Sequence, residues 1–167
     1  RFANKILVDI FGLPMVIRTA KQVSSLDKVV IATDTKEVYD LAKEHGFEAV
    51  MTSVEHNSGT DRINEAVNSL NLSDDEIIVN VQADEPFIEI DVVKSIINRV
   101  KEVKDCQNTL ITSCYKEINS KSADDPNLVK VVINNLEEAI YFSRAKIPYH
   151  RDGDENSTYF GHLGIYG

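Results

Sequence analysis

An α/β fold with a mainly parallel sheet is what this sequence predicts, and three observations carry the prediction. Continuous apolar runs such as Val29-Val30-Ile31-Ala32 and Ile77-Ile78-Val79-Asn80-Val81-Gln82 read as strands buried on both faces. Segments with apolar residues at helical spacing lie between such runs, and a βαβαβα order implies parallel strands with crossover helices. After about residue 108 the pattern changes to strands joined by loops, so mixed or antiparallel strands are expected in the C-terminal half. No repeat or low-complexity segment divides the 167 residues, and one domain spanning 1–167 is expected.

The elements follow in order. Lys5 to Ile10 is a short apolar stretch. Pro14 suits the first turn of a helix whose face is Ile17, Ala20 and Val23. The strand at 29–32 ends at Thr33-Asp34, and residues 36–45 follow as a helix with Val38, Leu41, Ala42 and His45 on one side. Gly46 stops it. Phe47 to Met51 is a strand, and 58–70 a helix opened by Ser58 or Thr60, with Ile63, Ala66, Val67 and Leu70 inward. Residues 77–82 form the strongest strand signal. Asp91 caps a helix whose apolar face runs from Val92 to Val103. Four more strands are expected at 109–115, 129–133, 139–143 and 161–166, with loops at 119–127 and 150–158.

Composition narrows the function. Apolar residues make up 43% of the chain, enough for a sizeable core. No apolar run is long enough for a membrane helix, and no basic-then-apolar opening resembles a signal peptide. A net charge of −9 argues against nucleic-acid coating, which needs a basic stripe, but leaves room for a small anion held by a few cations. Cys106 and Cys114 match no zinc or redox spacing and read as reduced thiols of a cytoplasmic protein.

Five constellations have chemical potential. Asp84-Glu85-Pro86 follows the strongest strand, where ligands of open α/β sheets bind; a carboxylate there suits Mg²⁺, or is simply a solvated turn acid. His56-Asn57-Ser58-Gly59-Thr60-Asp61-Arg62 combines a helix N-terminus, a glycine permitting close approach and a guanidinium, although Ser58-x-x-Asp61 is also a plain capping box. Its spacing is not that of a Walker loop. Arg1 and Lys5 are a cation pair able to grip phosphates, or an ordinary surface pair. Arg144, between an apolar strand and a proline turn, can hold a carboxylate of a ligand or of the chain itself. His162 is a lone strand histidine, more commonly structural than catalytic. Asp34 at a strand end invites comparison with receiver-domain phosphoacceptors, but the acidic pair and later lysine that such a domain needs are missing.

In combination these pieces resemble the sugar-acid cytidylyltransferases, and among them the 3-deoxy-manno-octulosonate (Kdo) cytidylyltransferase, or CMP-Kdo synthetase, family. Seven collinear blocks carry the resemblance over nearly the whole chain. They are Arg1…Lys5…Gly12-Leu13-Pro14-Met15, Ala32-Thr33-Asp34, the 56–62 block, Val79 to Pro86, Pro126 to Val132, Tyr141-Phe142-Ser143-Arg144-Ala145-Lys146-Ile147-Pro148, and His162 to Tyr166. The resemblance implies a Rossmann-like nucleotidyltransferase fold of the glycosyltransferase-A type. It implies transfer of CMP from CTP to Kdo for lipopolysaccharide assembly, by a cytoplasmic, Mg²⁺-requiring homodimer. By the same resemblance, Arg1 and Lys5 would bind the triphosphate, with Lys5 stabilising charge at the α-phosphate. Ser58, Gly59, Thr60 and Arg62 would hold the nucleotide, Asp84 the Mg²⁺, and Gln82, Arg144 and His162 the sugar. In-line attack of the sugar's anomeric hydroxyl needs no side-chain nucleophile, consistent with the absence of a Ser-His-Asp or Cys-His pattern.

Two departures from the family accompany this. Ala83 stands where the family usually has glycine; if that position needs φ > 0, alanine costs on the order of 1–2 kcal/mol. The sequence opens at Arg1 without Met and stops within an apolar run, so a fragment is expected, short of the family's first strand and C-terminal part and inactive by itself. The competing readings are a related enzyme acting on sialic acid, disfavoured by the Tyr141–Pro148 block, and a nucleotide-binding homologue without catalysis.

Overall fold

The computed structural model describes residues 5–105, 111–151 and 157–167, arranged as two compact units. The first comprises Arg1–Leu110 with Ile165–Gly167, and the second Ile111–Gly164.

The first unit opens with a 3₁₀ turn, Lys5–Leu7, and a hairpin of β1 (Asp9–Ile10) and β2 (Leu13–Pro14). Its two turn residues, Phe11 and Gly12, have φ of 52° and 82°, and Asp9 Oδ1 accepts the Gly12 N–H at 2.9 Å. Two consecutive left-handed residues match the right-handed twist of the paired strands. Pro14 is the N-cap of α1 (Met15–Val23), one residue ahead of the first turn in which the sequence places it. The apolar spacing of α1 buries Val16, Ile17 and Ala20. β3 (Val30–Thr33) and β4 (Glu48–Met51) pair in parallel, Val30 beside Glu48 through Thr33 beside Met51. The crossover between them is α2 (Lys36–Glu44), closed by Gly46 at φ 79°. Val16, Ile17, Ala20, Ile31, Val38, Ala42 and Ala49 form one buried cluster. α3 (Gly59–Leu70) and α4 (Ile90–Val103) follow.

The second unit is built on a four-stranded sheet, order β5-β8-β6-β7, of β5 (Ser113–Ile118), β6 (Lys130–Ile133), β7 (Ala139–Ser143) and β8 (Tyr159–Tyr166). β6 runs antiparallel to both β7 and β8. The last residues of β8 belong to the first unit, where Tyr166 bridges Asn80.

Five expectations need correction. The sheets are mixed rather than mainly parallel: among the described residues β3–β4 is a parallel pair, while β1–β2, β6–β7 and β6–β8 are antiparallel. Short connections such as 134–138 close only antiparallel strands, whereas a parallel pair needs a crossover like α2. The strong apolar run at 77–82 is not a full strand. Among the described residues it makes a single antiparallel bridge at Asn80, because ladder partners, not β propensity, define a strand. The helix expected to be capped by Asp91 starts earlier, after Glu89, and Asp91 sits in its first turn, where a carboxylate favours the helix dipole. Within the expected loop at 119–127 lies a short helix, α5 (Ser120–Ala123). Asn119 Oδ1 accepts the Ser122 N–H at 2.8 Å and Ala123 is fully buried, which together stabilise the turn. The strand expected at 109–115 begins at Ser113 among the described residues, and Thr109 and Leu110 lie outside them, as do Cys106 and residues 152–156 of the loop expected at 150–158. Among the described residues no helix is long and apolar enough to cross a membrane.

Ile17 is fully buried at the centre of the first cluster, whereas Val54 is 70% exposed. Ile17→Ala is expected to lower unfolding stability by about 2–5 kcal/mol, and Val54→Ala by less than about 0.5 kcal/mol. Urea denaturation midpoints of the two variants test this.

Candidate functional site

In the first unit, a turn at Gln82–Glu85, closed by the Glu85 N–H on the Gln82 carbonyl at 3.1 Å, presents Asp84 to solvent. The 3₁₀ turn brings Lys5 to meet it, and Lys5 Nζ donates to Asp84 Oδ2 at 2.8 Å across 79 residues of sequence. Both side chains are substantially exposed. The hydrogen bond to Asp84, then the charge of Asp84 and of Glu85, hold the Lys5 ammonium above its ordinary pKa. Ala83 is not among the residues with positive φ, so the strain that alanine would bring to a left-handed position does not arise. Its carbonyl accepts the Thr19 hydroxyl at 2.9 Å, and its side chain packs on the buried cluster.

The N-terminus of α3 supplies a second group. Ser58 Oγ accepts the Asp61 N–H at 3.1 Å, which caps the helix, and donates to Asp61 Oδ2 at 2.6 Å, so the Asp61 carboxylate is taken by the Ser58 hydroxyl and not by the Ser58 N–H of a reciprocal capping box. Gly59 and Thr60 are exposed in the first turn, where a helix offers their N–H groups no internal acceptor. A Cβ at Gly59 would stand 3.7 Å and 3.8 Å from the Gln82 amide, so Gln82 lies against this helix end. Arg62 is committed to the chain itself: Nη2 pairs with Asp34 at 2.7 Å, and Nη1 donates to Thr52 Oγ1 at 2.7 Å. Asp34 is therefore a partner of Arg62. One turn along, Glu65 accepts the Ser53 N–H at 2.9 Å and bonds His56 Nε2. The Ser53 amide, then His56, draw its carboxyl below the usual carboxylate range. Arg62 and Glu65, neighbours on one face of α3, thus tie down the segment that leads into the helix.

The second unit holds the other two candidates. Arg144 follows β7, is exposed, and donates from Nη1 to the Pro126 carbonyl at 3.0 Å. His162 on β8 lies edge-on to Phe142 at 4.9 Å, with Nε2 at 2.7 Å from Ser113 Oγ. Burial pushes its pKa below the ordinary 6.5. Arg1 lies outside the described residues.

Several residues that shape these groups escape a reading of motifs. Glu65 and His56 bond through the fold alone, nine residues apart. Lys130 had a signal, a single cation inside the β-branched run Val129–Ile133, and it is fully buried with Nζ on three backbone carbonyls. Among the described residues no three His, Cys, Asp or Glu side chains cluster as a metal cage. Asp84 with adjacent Glu85 instead offers the one or two hard carboxylates that suit Mg²⁺ sharing its coordination with substrate phosphates.

The unfolded chain takes up a proton at His162 near pH 6.5, which the folded environment resists. Stability from this residue is full above pH 6.5 and declines as the pH falls from there toward the folded value. The His162 ring signal in NMR is expected to titrate below 6.5, and His162→Gln to flatten the acid-side loss of stability.

Comparison with known proteins gives these groups a context. The family model described as Cytidylyltransferase matches residues 1–167. The chain is 50% identical to the 3-deoxy-manno-octulosonate cytidylyltransferase of a Nitratiruptor species, over 100% of this chain and 69% of that protein. It is 45% identical to the enzyme of the same name from Wolinella succinogenes, over 99% of this chain and 69% of that protein. Among solved structures, CMP:2-keto-3-deoxy-manno-octonic acid synthetase complexed with CTP superposes with a TM-score of 0.84 at 35% identity, covering 99% of this chain and 67% of that one. A family model spanning residues 1–167 and relatives at 45–50% identity over almost all of this chain agree: the chain belongs to the cytidylyltransferase family, alongside the 3-deoxy-manno-octulosonate cytidylyltransferases.

Proposed function

We propose that this chain transfers CMP from CTP to the anomeric hydroxyl of Kdo, releasing pyrophosphate and providing CMP-Kdo for lipopolysaccharide assembly. The observation that carries the reading is the meeting of Lys5 and Asp84, from distant blocks of the sequence, at one exposed point. The oxygen of the sugar attacks the α-phosphorus, the bond to the pyrophosphate oxygen breaks, and the hydroxyl proton passes to solvent. The chain's part is positioning and charge. An exposed ion pair is weakly held, so the Lys5 ammonium is available to a triphosphate that offers it more negative charge. First-turn N–H groups at Gly59 and Thr60, with Ser58, suit phosphate or carbonyl oxygens of the nucleotide. Arg62 supports this end through Asp34 and Thr52.

Asp84, with Glu85 beside it, would hold Mg²⁺, which when bound supplies Lewis-acid charge to phosphate oxygens. Gln82, Arg144 and His162 take the sugar in this reading. Arg144 has a fork of N–H donors suited to the Kdo carboxylate, and His162, kept neutral by burial, suits a hydroxyl. A glycosyltransferase-A-like, Rossmann-type arrangement is the finer fold we infer, supported by the parallel β3–α2–β4 crossover. A homodimer is supported by Ile140, Tyr141 and Phe142, exposed apolar residues on β7 at the edge of its sheet. The cytoplasm, which holds CTP, is where the reaction belongs.

The test is pyrophosphate release by the complete gene product with CTP and MgCl₂, offering Kdo and sialic acid in parallel. Release with Kdo alone is expected, and Lys5→Ala and Asp84→Ala each lower kcat/KM by about 10²-fold or more. Release with sialic acid alone overturns the substrate. No release from a folded protein that binds CTP overturns catalysis and leaves a nucleotide-binding homologue.

A further inference from the structure

Lys130 is fully buried, and its Nζ donates to the carbonyls of Asp125 at 2.8 Å, Leu128 at 2.7 Å and Arg144 at 2.6 Å. Three donors meet three acceptors, so the ammonium is saturated. Among the described residues no carboxylate lies within ion-pair distance of it. A buried charge compensated by carbonyl dipoles alone is an expensive device where a methionine of similar volume would pack. What this arrangement accomplishes is to join two segments at one atom. Asp125 and Leu128 belong to the loop before β6, and Arg144 to the segment leaving β7. The same loop accepts the Arg144 side chain, through Nη1 on the Pro126 carbonyl at 3.0 Å. Both the main chain and the guanidinium of Arg144 are therefore referred to one loop, and Lys130 fixes that loop from inside.

We propose that Lys130 is a positioning residue for Arg144: it sets the backbone and guanidinium of Arg144 for the carboxylate of the sugar acid, without touching the substrate. The inference rests on the reading of Arg144 as a sugar-carboxylate contact. A carboxylate gripped by a fork of N–H donors tolerates little misplacement, so loosening the fork weakens sugar binding ahead of nucleotide binding.

The experiment uses steady-state kinetics of the complete gene product. Lys130→Met is expected to raise KM for Kdo about tenfold or more while KM for CTP stays within about twofold. Arg144→Ala raises KM for Kdo by itself, and in that background Lys130→Met adds no further rise. If Arg144→Ala leaves KM for Kdo unchanged, the reading of Arg144 fails. If Arg144→Ala raises it and Lys130→Met does not, or raises both KM values equally, the positioning role fails and Lys130 is a structural clamp. Should Lys130→Met not fold, ¹⁵N NMR of the unaltered protein decides. Kdo is expected to shift both the Arg144 guanidinium and the Lys130 ammonium signals. A shift at Arg144 alone overturns the positioning role, and a shift at neither overturns the reading of Arg144.

Discussion

Burial of one apolar seam holds the first unit together. Val16, Ile17 and Ala20 on α1 meet Ile31, Ala49, Val38 and Ala42 of the β3–α2–β4 crossover. Each contact is non-directional, yet together they leave the polar ends of these elements little freedom. Asp34 and Thr52 follow the ends of β3 and β4, and both are taken by Arg62 of α3. Thr19, buried on α1, holds the Ala83 carbonyl and with it the turn that presents Asp84. The reactive-looking surface is thus a margin of the core, fixed by hydrogen bonds that start from buried residues.

The chain uses cations in two contrasting ways. Lys5 is exposed, bonded to one exposed carboxylate, and screened by water. Such a pair contributes little stability and exchanges partners readily, which suits a residue meeting a polyanionic ligand. Lys130 is enclosed and saturated by carbonyls, with no carboxylate partner among the described residues. Removing its ammonium would strand three acceptors away from water, so it suits a permanent joint. Arg62 lies between these extremes, partly buried, with one guanidinium nitrogen on Asp34 and the other on Thr52, linking a helix to two strand ends. Burial, more than charge, separates the cations that can move from those that cannot.

Much of the first unit was legible in the residues. Pro14, the β-branched run at 29–32, Gly46 and Ser58 each act locally, through φ preference, side-chain branching or capping, and the structure uses each within one residue of the expected place, Pro14 standing just before the first turn of α1 and the strand running Val30–Thr33. The run at 77–82 misled because β-branched residues signal burial and extension, while a ladder requires a neighbour that local sequence does not specify. The Asn119 helix was hidden for the opposite reason. Its four residues have no periodicity to detect, and a cap with one buried alanine is enough to form it.

Of the candidate site, the sequence by itself determined which chemistries were on offer: carboxylates after a strand, a glycine and hydroxyls at a helix start, an arginine after a strand, all recognisable because residue type and local conformation suffice to name them. It also determined, through collinear blocks, the family to which the chain belongs. Tertiary structure alone decided the pairings. Lys5 with Asp84, Arg62 with Asp34, Glu65 with His56 and Lys130 with the Arg144 carbonyl join residues that no local rule connects. The physical reason is that a hydrogen bond depends on position within about 3 Å, and such positions follow from how the core packs, not from neighbours in sequence.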